Sequence, residues 1–341
     1  MQSNNLIKEQ YLSGQNFVKL SDVAYAANIS TGLTNSIPKE NITLISQNEL
    51  ITTYKLNNLH LKNGDVIFCS SGYLELLFYY LNKVKKIKNL TLISGQSDIS
   101  IDHKLFLKKP ECITKWYSVN VDHSDSVLKP IPLGLANDYS PKNIRINDFL
   151  SFKEGNTQKE NKLYINLQKS TNYKEREKLE NIFHKKEWVE FKEPILSIEE
   201  YLNDLKKYKF VLCPWGNGYD THRLWETLYS GSIPVTKKHI TYESFKHLPI
   251  IFIEDYADIT YELLNSEVQN FKNINYEILN IDYWKKEIFE INLNEERTEE
   301  IILENKIFEI YYWKKLYIKS FIKNKYKVFQ YYLKKLTKTS L

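Results

Sequence analysis

Cysteine is scarce in this sequence. The chain has three cysteines, Cys69, Cys112 and Cys213, and they form neither a CxxC pair nor a Cys/His pattern with metal-ligand spacing. An odd, scattered set of this kind indicates neither a disulfide framework nor a zinc site. This cysteine content is best explained by a protein of a reducing compartment.

Long apolar runs are also missing. No stretch reaches the ~18 uninterrupted apolar residues of a spanning helix, and the polar segment 1–17 lacks the apolar core of a signal peptide. No internal repeat of solenoid period is visible. We therefore expect a soluble, cytoplasmic protein.

The composition is that of a globular protein. Hydrophobic residues make up 42% of the 341 residues and charged residues 26%, which excludes a disordered chain. The chain is longer than a typical single domain, because domains have about 150 residues on average. Two domains that meet at a cleft are the expected arrangement.

The first half alternates short apolar runs with helical segments, which is typical of a parallel sheet with crossover helices. The predicted strands are Val66 to Cys69, Leu90 to Ile93, Ile113 to Val119 and Leu128 to Pro132, with an apolar helix at Tyr73 to Leu81. A polar stretch, 137–161, follows them. We place an interdomain linker there, between an N-terminal domain of residues 1–150 and a C-terminal domain of residues 151–300.

The second half repeats the alternation. The predicted strands are Leu163 to Leu167, Trp188 to Phe191, Phe210 to Cys213, Ile233 to Val235 and Ile250 to Ile253. The predicted helices are Lys174 to His184, Ile198 to Lys206, one that begins near Asp220, and Tyr242 to Lys246. Such a series predicts a doubly wound α/β domain, whose ligand lies beyond the carboxyl ends of the strands.

The most informative segment runs from Phe210 to Val235. It reads as a strand, a loop with Gly216 and Gly218, and a helix for which Asp220 or Thr221 is the expected N-cap. Small loop residues let backbone amides approach a ligand, and the positive end of a helix favours an anion such as diphosphate. Glycines of this kind can also serve only to make a tight turn.

Three charged or polar side chains lie in the first turns of this helix. His222, Arg223 and Glu226 are three or four residues apart and so share one face. A guanidinium there can hold phosphate oxygens bidentately, while a carboxylate accepts hydrogen bonds from ribose hydroxyls. The alternative is an ion pair between Arg223 and Glu226 on a solvated surface.

The string P-x-G-N-G-x-D-T-H-R-x-W-E-x-L-x-x-G-x-I-P-V, which begins at Pro214, resembles the donor-site signature of exostosin-like (family 47) glycosyltransferases. The resemblance implies a GT-B fold, with two Rossmann-like domains facing across a cleft, and is dense over Tyr201 to Val235. It also implies that Arg223 and Glu226 contact the diphosphate and ribose of a nucleotide sugar, and that the glycine loop contacts the phosphates.

Weaker similarities extend outward. The segment that begins at Leu163 resembles the opening of the family's donor domain and makes Asn166 and Arg176 secondary candidates, although Arg176 could equally pair with glutamates of its own helix. Segments in 92–134 resemble the acceptor side. The full set of residues expected to bind the donor is Asn166, Arg176, Gly216, Asn217, Gly218, Asp220, Thr221, His222, Arg223 and Glu226.

Such enzymes are expected to stabilise the leaving diphosphate with arginine, backbone amides and a helix dipole, without a metal bound to a DxD motif. No DxD triplet follows a strand here, and Asp122 to Asp125 is interpreted as a solvated loop. We therefore expect no metal and no cofactor. If the reaction inverts the anomeric centre, the general base is expected at Asp98, then His103 or His123, each of which could instead be a surface or capping residue.

The C-terminal segment 301–341 is basic. From Asn305 to Leu341 it holds ten lysines and one acidic residue, Glu309, with aromatic residues between them from position 307 onward. The pattern suits a helix on an anionic membrane surface. Two alternatives are a helix that crosses back to the N-terminal domain and a solvated tail.

The expected function is therefore transfer of a hexosyl or pentosyl group from a nucleotide sugar, with UDP as the expected nucleotide, to a glycan or glycolipid acceptor such as a surface polysaccharide. Inverting and retaining chemistry both stay open. Two alternatives remain: a nucleic-acid-binding protein that uses lysines and aromatic residues, and a non-catalytic relative that binds nucleotides or glycans. The terminal position of the basic charge argues against nucleic acid as a partner.

Overall fold

The structure is a computed structural model that describes residues 6–36, 38–151, 158–289, 298–318, 321–322 and 325. The helices are α1 Gly14–Leu20, α2 Leu74–Leu81, α3 His103–Phe106, α4 Ile146–Ser151, α5 Tyr173–Arg176, α6 Leu179–Phe183, α7 Ile198–Lys207, α8 His222–Tyr229, α9 Tyr261–Asn270, α10 Ile281–Ile288 and α11, over 306–318. The strands are β1 Val23–Ser30, β2 Ile42–Gln47, β3 Ile51–Leu56, β4 Leu59–Lys62, β5 Val66–Ser70, β6 Leu90–Gly95, β7 Ile101–Asp102, β8 Ile113–Ser118, β9 Val121–Asp122, β10 Leu128–Pro130, β11 Glu160–Asn166, β12 Val189–Lys192, β13 Tyr208–Leu212, β14 Ile233–Lys237, β15 Ile251–Ile253 and β16 Glu299–Ile302.

The first sheet has seven strands in the order β10-β8-β6-β5-β1-β3-β2. The five strands from β10 to β1 are parallel, and β3 and β2 extend the sheet as antiparallel neighbours. Every residue of β5 and β6 is buried, as expected for central parallel strands that are covered on both faces. The apolar runs that mark these strands in the sequence are therefore core residues.

The second sheet has five parallel strands in the order β12-β11-β13-β14-β15. Its crossover helices include α7, which begins with a capping box between Ser197 and Glu200. The order reverses at β11, so that β12 and β13 lie on opposite sides of it. A ligand crevice is expected at the carboxyl ends of the strands around such a reversal.

The two sheets contact each other through loops at their carboxyl ends. The amide of Asp220, after β13, donates to the side chain of Asn120, after β8, at 2.9 Å, and the amide of Leu133, after β10, donates to the carboxylate of Asp220 at 2.8 Å. The architecture is therefore α/β of the GT-B type, which confirms the predicted fold class. The residue bounds that we give the two domains stay predictions.

Most predicted elements agree with the structure to within a few residues, with three corrections. The single helix expected at Lys174 to His184 is two short helices, α5 and α6, and the helix at Tyr242 to Lys246 is a 3-10 helix, Ile240–Phe245. The polar stretch 137–161 is not simply a linker, because it includes α4 and the buried side chains of Ile144 and Ile146. Residues 152–157 of that stretch lie outside the described residues.

Helix α11 crosses back to the first sheet. Phe308, Tyr312 and Trp313 pack against the core around α2, and Glu309 accepts a hydrogen bond from the hydroxyl of Tyr80 at 2.7 Å. The buried ammonium of Lys55, on β3, lies 2.9 Å from the same carboxylate. Residues 306–318 thus form the crossing helix that was one of the alternatives. Residues 326–341 of the basic segment lie outside the described residues.

Candidate functional site

The carboxyl ends of β11, β13 and β14 meet the start of α8 at one edge of the second sheet. The segment from Cys213 to Thr221 crosses this edge and leads into α8. Thr221 occupies the N-cap position of α8, with an extended backbone and no hydrogen bond from its side chain. The start of α8 therefore lacks the side-chain cap that the sequence predicts, although the amide of Leu224 donates to the carbonyl of Thr221 at 3.1 Å. The amides of His222 and Arg223 are the ones that a phosphate oxygen could accept from.

Arg223 brings a partly buried guanidinium to this edge. Its Nη1 atom is buried and has no hydrogen-bond partner among the residues that the structure describes. The guanidinium carbon lies 5.6 Å from the centre of the Tyr201 ring, on α7. A buried charged donor without an acceptor is costly, so this atom marks the place where an anionic ligand would be stabilised most.

Glu226 lies one turn further along α8 and is 5% exposed. Its Oε2 atom accepts a hydrogen bond from the hydroxyl of Tyr201 at 3.1 Å. Burial raises the pKa of Glu226 to about 7, although the charge of Arg223 and the hydrogen bond from Tyr201 act in the opposite direction. The carboxyl group therefore changes its charge near neutral pH.

The two side chains do not form the surface ion pair that was the alternative interpretation. Within the described ranges no ion pair of 4.0 Å or less joins Arg223 to Glu226, and Glu226 is buried. Tyr201 contacts both residues, through its ring and its hydroxyl. The sequence placed Tyr201 only at the edge of the matching segment, and nothing in its spacing identified this role.

Arg176 holds the glycine loop in place. Its Nε donates to the carbonyl of Trp215 at 3.0 Å, its Nη2 to the carbonyl of Pro214 at 3.1 Å and its Nη1 to the carbonyl of Gln168 at 3.1 Å. Burial, together with the nearby charge of Arg223, lowers the pKa of Arg176 to about 10. These hydrogen bonds go to backbone carbonyls, so Arg176 does not take the alternative role of pairing with glutamates of its own helix. The structure makes Arg176 a positioning residue for the loop, and a direct contact with a donor stays a prediction.

The two loop glycines have different surroundings. A β-carbon on Gly216 would have ordinary contacts, 3.5 Å from Thr221 at the nearest. A β-carbon on Gly218 would lie 2.6 to 2.9 Å from the side chain of Asn120, closer than side-chain atoms approach. Position 218 therefore requires glycine, because the side chain of Asn120, in the loop after β8, packs against it. The contact of Gly218 with a donor stays a prediction, and the neighbouring Asn217 is exposed.

Asp220 also serves the contact between the sheets. Both of its carboxylate oxygens accept from the indole of Trp225, at 2.9 and 3.0 Å, and one also accepts from the amide of Leu133. Burial raises the pKa of Asp220 to about 7. Its carboxylate is thus occupied by protein donors, and the structure assigns it to interdomain packing and not to the N-cap that the sequence suggested.

His222 links α8 to the loop after β10. Its Nδ1 atom lies 2.7 Å from the carbonyl oxygen of Gly134, and since a carbonyl can only accept, Nδ1 carries the proton. Burial lowers the pKa of His222, and the carboxylate of Asp98 partly offsets this. His222 is therefore neutral at pH 7, with the lone pair on Nε2.

The residues predicted as general bases occupy two places. Asp98 is exposed on the loop after β6 and close enough to His222 to act on its pKa. His103 is exposed at the start of α3, and its ring centre lies 4.8 Å from that of His123. Asn166, at the end of β11, donates to the carbonyl of Glu193 at 3.2 Å. The charge of Asp98 thus acts on a residue at the start of α8, whereas the histidine pair lies at the start of α3 and just after β9.

A cluster of polar and aromatic side chains, which the sequence did not reveal, connects the two sheets next to the glycine loop. Asp122 lies 3.3 Å from Nε2 of His239 and accepts from the hydroxyl of Tyr219 at 3.3 Å. The rings of Tyr219 and His239 stack, with centres 3.6 Å apart, and Trp215 packs edge-on against both. Asp122 is exposed, as the interpretation of 122–125 as a solvated loop expects, and in addition contacts residues in the loops that follow β13 and β14.

Two kinds of feature are absent from the described residues. No group of three or more His, Cys, Asp and Glu side chains there is arranged to hold a metal ion. None of the helices in that part of the chain combines the length and apolar character needed to span a bilayer.

The paired sheets, the glycine loop and the helix that begins beside it define an α/β protein of the GT-B type. Over residues 152–326, just over half of the chain, the sequence matches the family model of the RXYLT1 C-terminal domain. The chain belongs to this family, a xylosyltransferase family related to the exostosin-like enzymes, and hence to the glycosyltransferases. No curated protein gave a significant match.

Proposed function

We propose that the chain transfers a sugar from a UDP-sugar to a glycan or glycolipid acceptor and binds the donor at the start of α8. The observation that carries the proposal is the buried Nη1 of Arg223, which has no partner among the described residues. A diphosphate beside this atom would supply the missing acceptor in a geometry that guanidinium groups favour. Membership of a xylosyltransferase family makes UDP-xylose the first donor to test.

The surrounding groups suit the remaining parts of such a donor. The amides of His222 and Arg223 at the start of α8 would donate to the phosphates, next to the loop that Arg176 fixes through the carbonyls of Pro214 and Trp215. The carboxylate of Glu226 would accept from ribose hydroxyls. As the sugar leaves, negative charge grows on the diphosphate, and Arg223 would stabilise that charge without a metal ion.

The acceptor is expected on the side of the first sheet. If the reaction inverts the anomeric centre, we propose Asp98 as the general base, because it is exposed on the loop after β6 and its charge acts on His222 at the start of α8. The neutral imidazole of His222 and the pair of His103 and His123 are the next candidates to compare. Surface polysaccharide or lipid-linked glycans remain the proposed acceptor classes.

A panel of nucleotides tests the proposal. UDP and UDP-xylose should raise the melting temperature in a saturable way, because a ligand that binds only the folded state stabilises it. GDP, CMP and ADP should have smaller effects, and the chelator EDTA should not change the response to UDP. Absence of saturable binding by any nucleotide, combined with tight and salt-dependent binding of oligonucleotides, would instead support the nucleic-acid alternative.

The raised pKa of Glu226 predicts a pH-dependent affinity for the donor. The affinity for UDP-xylose should rise between about pH 6 and about pH 8, because the ionised carboxylate accepts ribose hydrogen bonds better than the protonated acid. The diphosphate of a UDP-sugar is doubly esterified and does not titrate in this range. In Glu226→Gln the slope should disappear, and the affinity at high pH should fall roughly tenfold. Titration calorimetry at several pH values measures both.

As the pH rises, the free energy of unfolding should fall while the affinity for the donor rises. Between the ordinary pKa of Glu226 and about 7, the folded chain holds a proton that the unfolded chain has released. The contribution of this group to the free energy of unfolding therefore falls as the pH rises through that window. Glu226→Gln should flatten this part of the curve, and an unchanged pH profile in both measurements would contradict the assigned ionisation.

A further inference from the structure

Helix α11 exposes an apolar face that the proposed transfer reaction does not use. Its inner face packs on the first sheet through Phe308, Tyr312, Trp313 and Leu316. The outer face, the apolar stripe, repeats every three or four residues, so its members lie along one side of the helix. The stripe consists of Ile307, Ile310, Tyr311, Tyr317 and Ile318 on α11, with Phe321 and Ile322 beyond it.

The exposure of the stripe is unusually high for side chains of this kind. Ile307 is 83% exposed and Tyr317 73%, and the other members are also exposed. Lys314 is the one charged residue among the described positions along the stripe. A run of large apolar side chains along about three helical turns is uncommon on a water-exposed surface and marks an interaction site.

A basic groove adjoins the stripe. It lies between α2 and α11, has a volume of about 1000 Å³, and shares Tyr311 with the stripe. Five lysines and two glutamates line it, a net charge of +3. The lysines, which together form the lysine groove, are Lys85, Lys88, Lys108, Lys109 and Lys315.

We propose that the apolar stripe and the lysine groove together dock the protein on a bilayer that contains anionic lipids. Interfacial helices of this type place Ile, Phe and Tyr at the boundary of headgroups and acyl chains, while lysines beside them attract anionic headgroups. The inner face of α11 keeps the helix attached to the first sheet, so the whole protein is held at the surface. The stripe and the groove share no residue with the proposed donor site.

The charge distribution favours lipid over a second copy of the chain. A symmetric dimer through the stripe would bring two equivalent surfaces together, each with Lys314 and Lys315 on α11 and the lysine groove at its side. Those like charges would repel each other. An anionic membrane supplies the opposite charge to the groove and an apolar phase to the stripe.

Sedimentation with vesicles tests the proposal. The full-length protein should sediment with vesicles of phosphatidylcholine and phosphatidylglycerol, at least about tenfold more weakly with phosphatidylcholine alone, and less as salt is added. The double variant Ile307→Asp/Ile310→Asp should lose about tenfold or more of this binding. Aspartate near the start of a helix is favourable, so α11 should still form, which circular dichroism and the melting temperature check.

Ile195 provides the matched control, because it is 87% exposed and lies in the turn between β12 and α7, away from α11 in the chain. Ile195→Asp should bind vesicles as the unmodified protein does. The proposal is overturned if the unmodified protein does not bind anionic vesicles, or if the double variant binds them equally well. A concentration-dependent dimer that the double variant abolishes, without vesicle binding, would identify the stripe as a contact between copies. Binding of UDP should be the same in all these proteins, so failure here is separable from failure of the proposed function.

Discussion

Arg223→Ala should lower the affinity for UDP-xylose by about 100-fold and the rate of transfer by about 10² to 10³. The guanidinium has a buried Nη1 atom without a partner among the described residues, so the ligand would provide an interaction that the folded chain lacks. Removal of a buried, unpartnered donor should leave the melting temperature unchanged or raise it. Calorimetry with UDP-xylose, a transfer assay and thermal unfolding measure the three effects.

Two further variants make this test specific. Arg223→Lys keeps the charge but loses the bidentate geometry, so its affinity should fall between those of the unmodified protein and the alanine variant. Arg145→Ala removes an arginine that pairs with Asp148 beside α4 and should not change donor affinity. A lower melting temperature in Arg223→Ala with unchanged affinity would instead show that Arg223 has only a structural role.

Gly134→Ala should destabilise the protein by about 3 kcal/mol or more. Gly134 has a φ of +71°, and a β-carbon there would overlap the backbone carbonyl of Leu12, which cannot move aside as a side chain does. The same carbonyl accepts from the amide of Leu135 at 2.8 Å. The residue therefore lies where the N-terminal segment, the loop after β10 and, through His222, helix α8 meet.

Two other glycines separate the causes of this effect. Gly64 has a φ of +82° and open space where a β-carbon would lie, so Gly64→Ala should show the backbone strain alone, about 1 kcal/mol. Gly72 has open space and an ordinary φ, and Gly72→Ala should be close to neutral. Urea unfolding of the three variants gives the comparison. Equal stability of Gly134→Ala and Gly72→Ala would show that the N-terminal segment does not pack as described.

The sequence predicted most of the parallel strands but not the antiparallel strands beside them. Strands such as Val66–Ser70 and Tyr208–Leu212 are buried on both faces, so their apolar runs are visible in the sequence. The antiparallel strands β2 and β3 were not predicted. In β2 only Ile42 is fully buried, so the strand has no continuous apolar run. The break between α5 and α6 was not predicted, because Glu177 and Lys178 both favour a helix and both keep helical backbone angles in the structure.

The site was predictable where the signal is local. The positions of Arg223 and Glu226 on one helix face follow from their spacing alone. The role of Asp220 does not, because its partner Leu133 lies 87 residues away in the chain and is joined to it only by the contact between the sheets. Asn120 limits the size of Gly218 in the same way. A pattern that resembles a phosphate loop therefore combines residues available to a ligand with residues that pack one domain on the other.

The most direct measurement of the central claim is a crystal structure of the protein with UDP bound. We predict a phosphate oxygen within about 3 Å of Nη1 of Arg223, with a ribose hydroxyl at hydrogen-bond distance from Glu226. A diphosphate bound instead beside the first sheet, with Nη1 of Arg223 still lacking an acceptor, would contradict it.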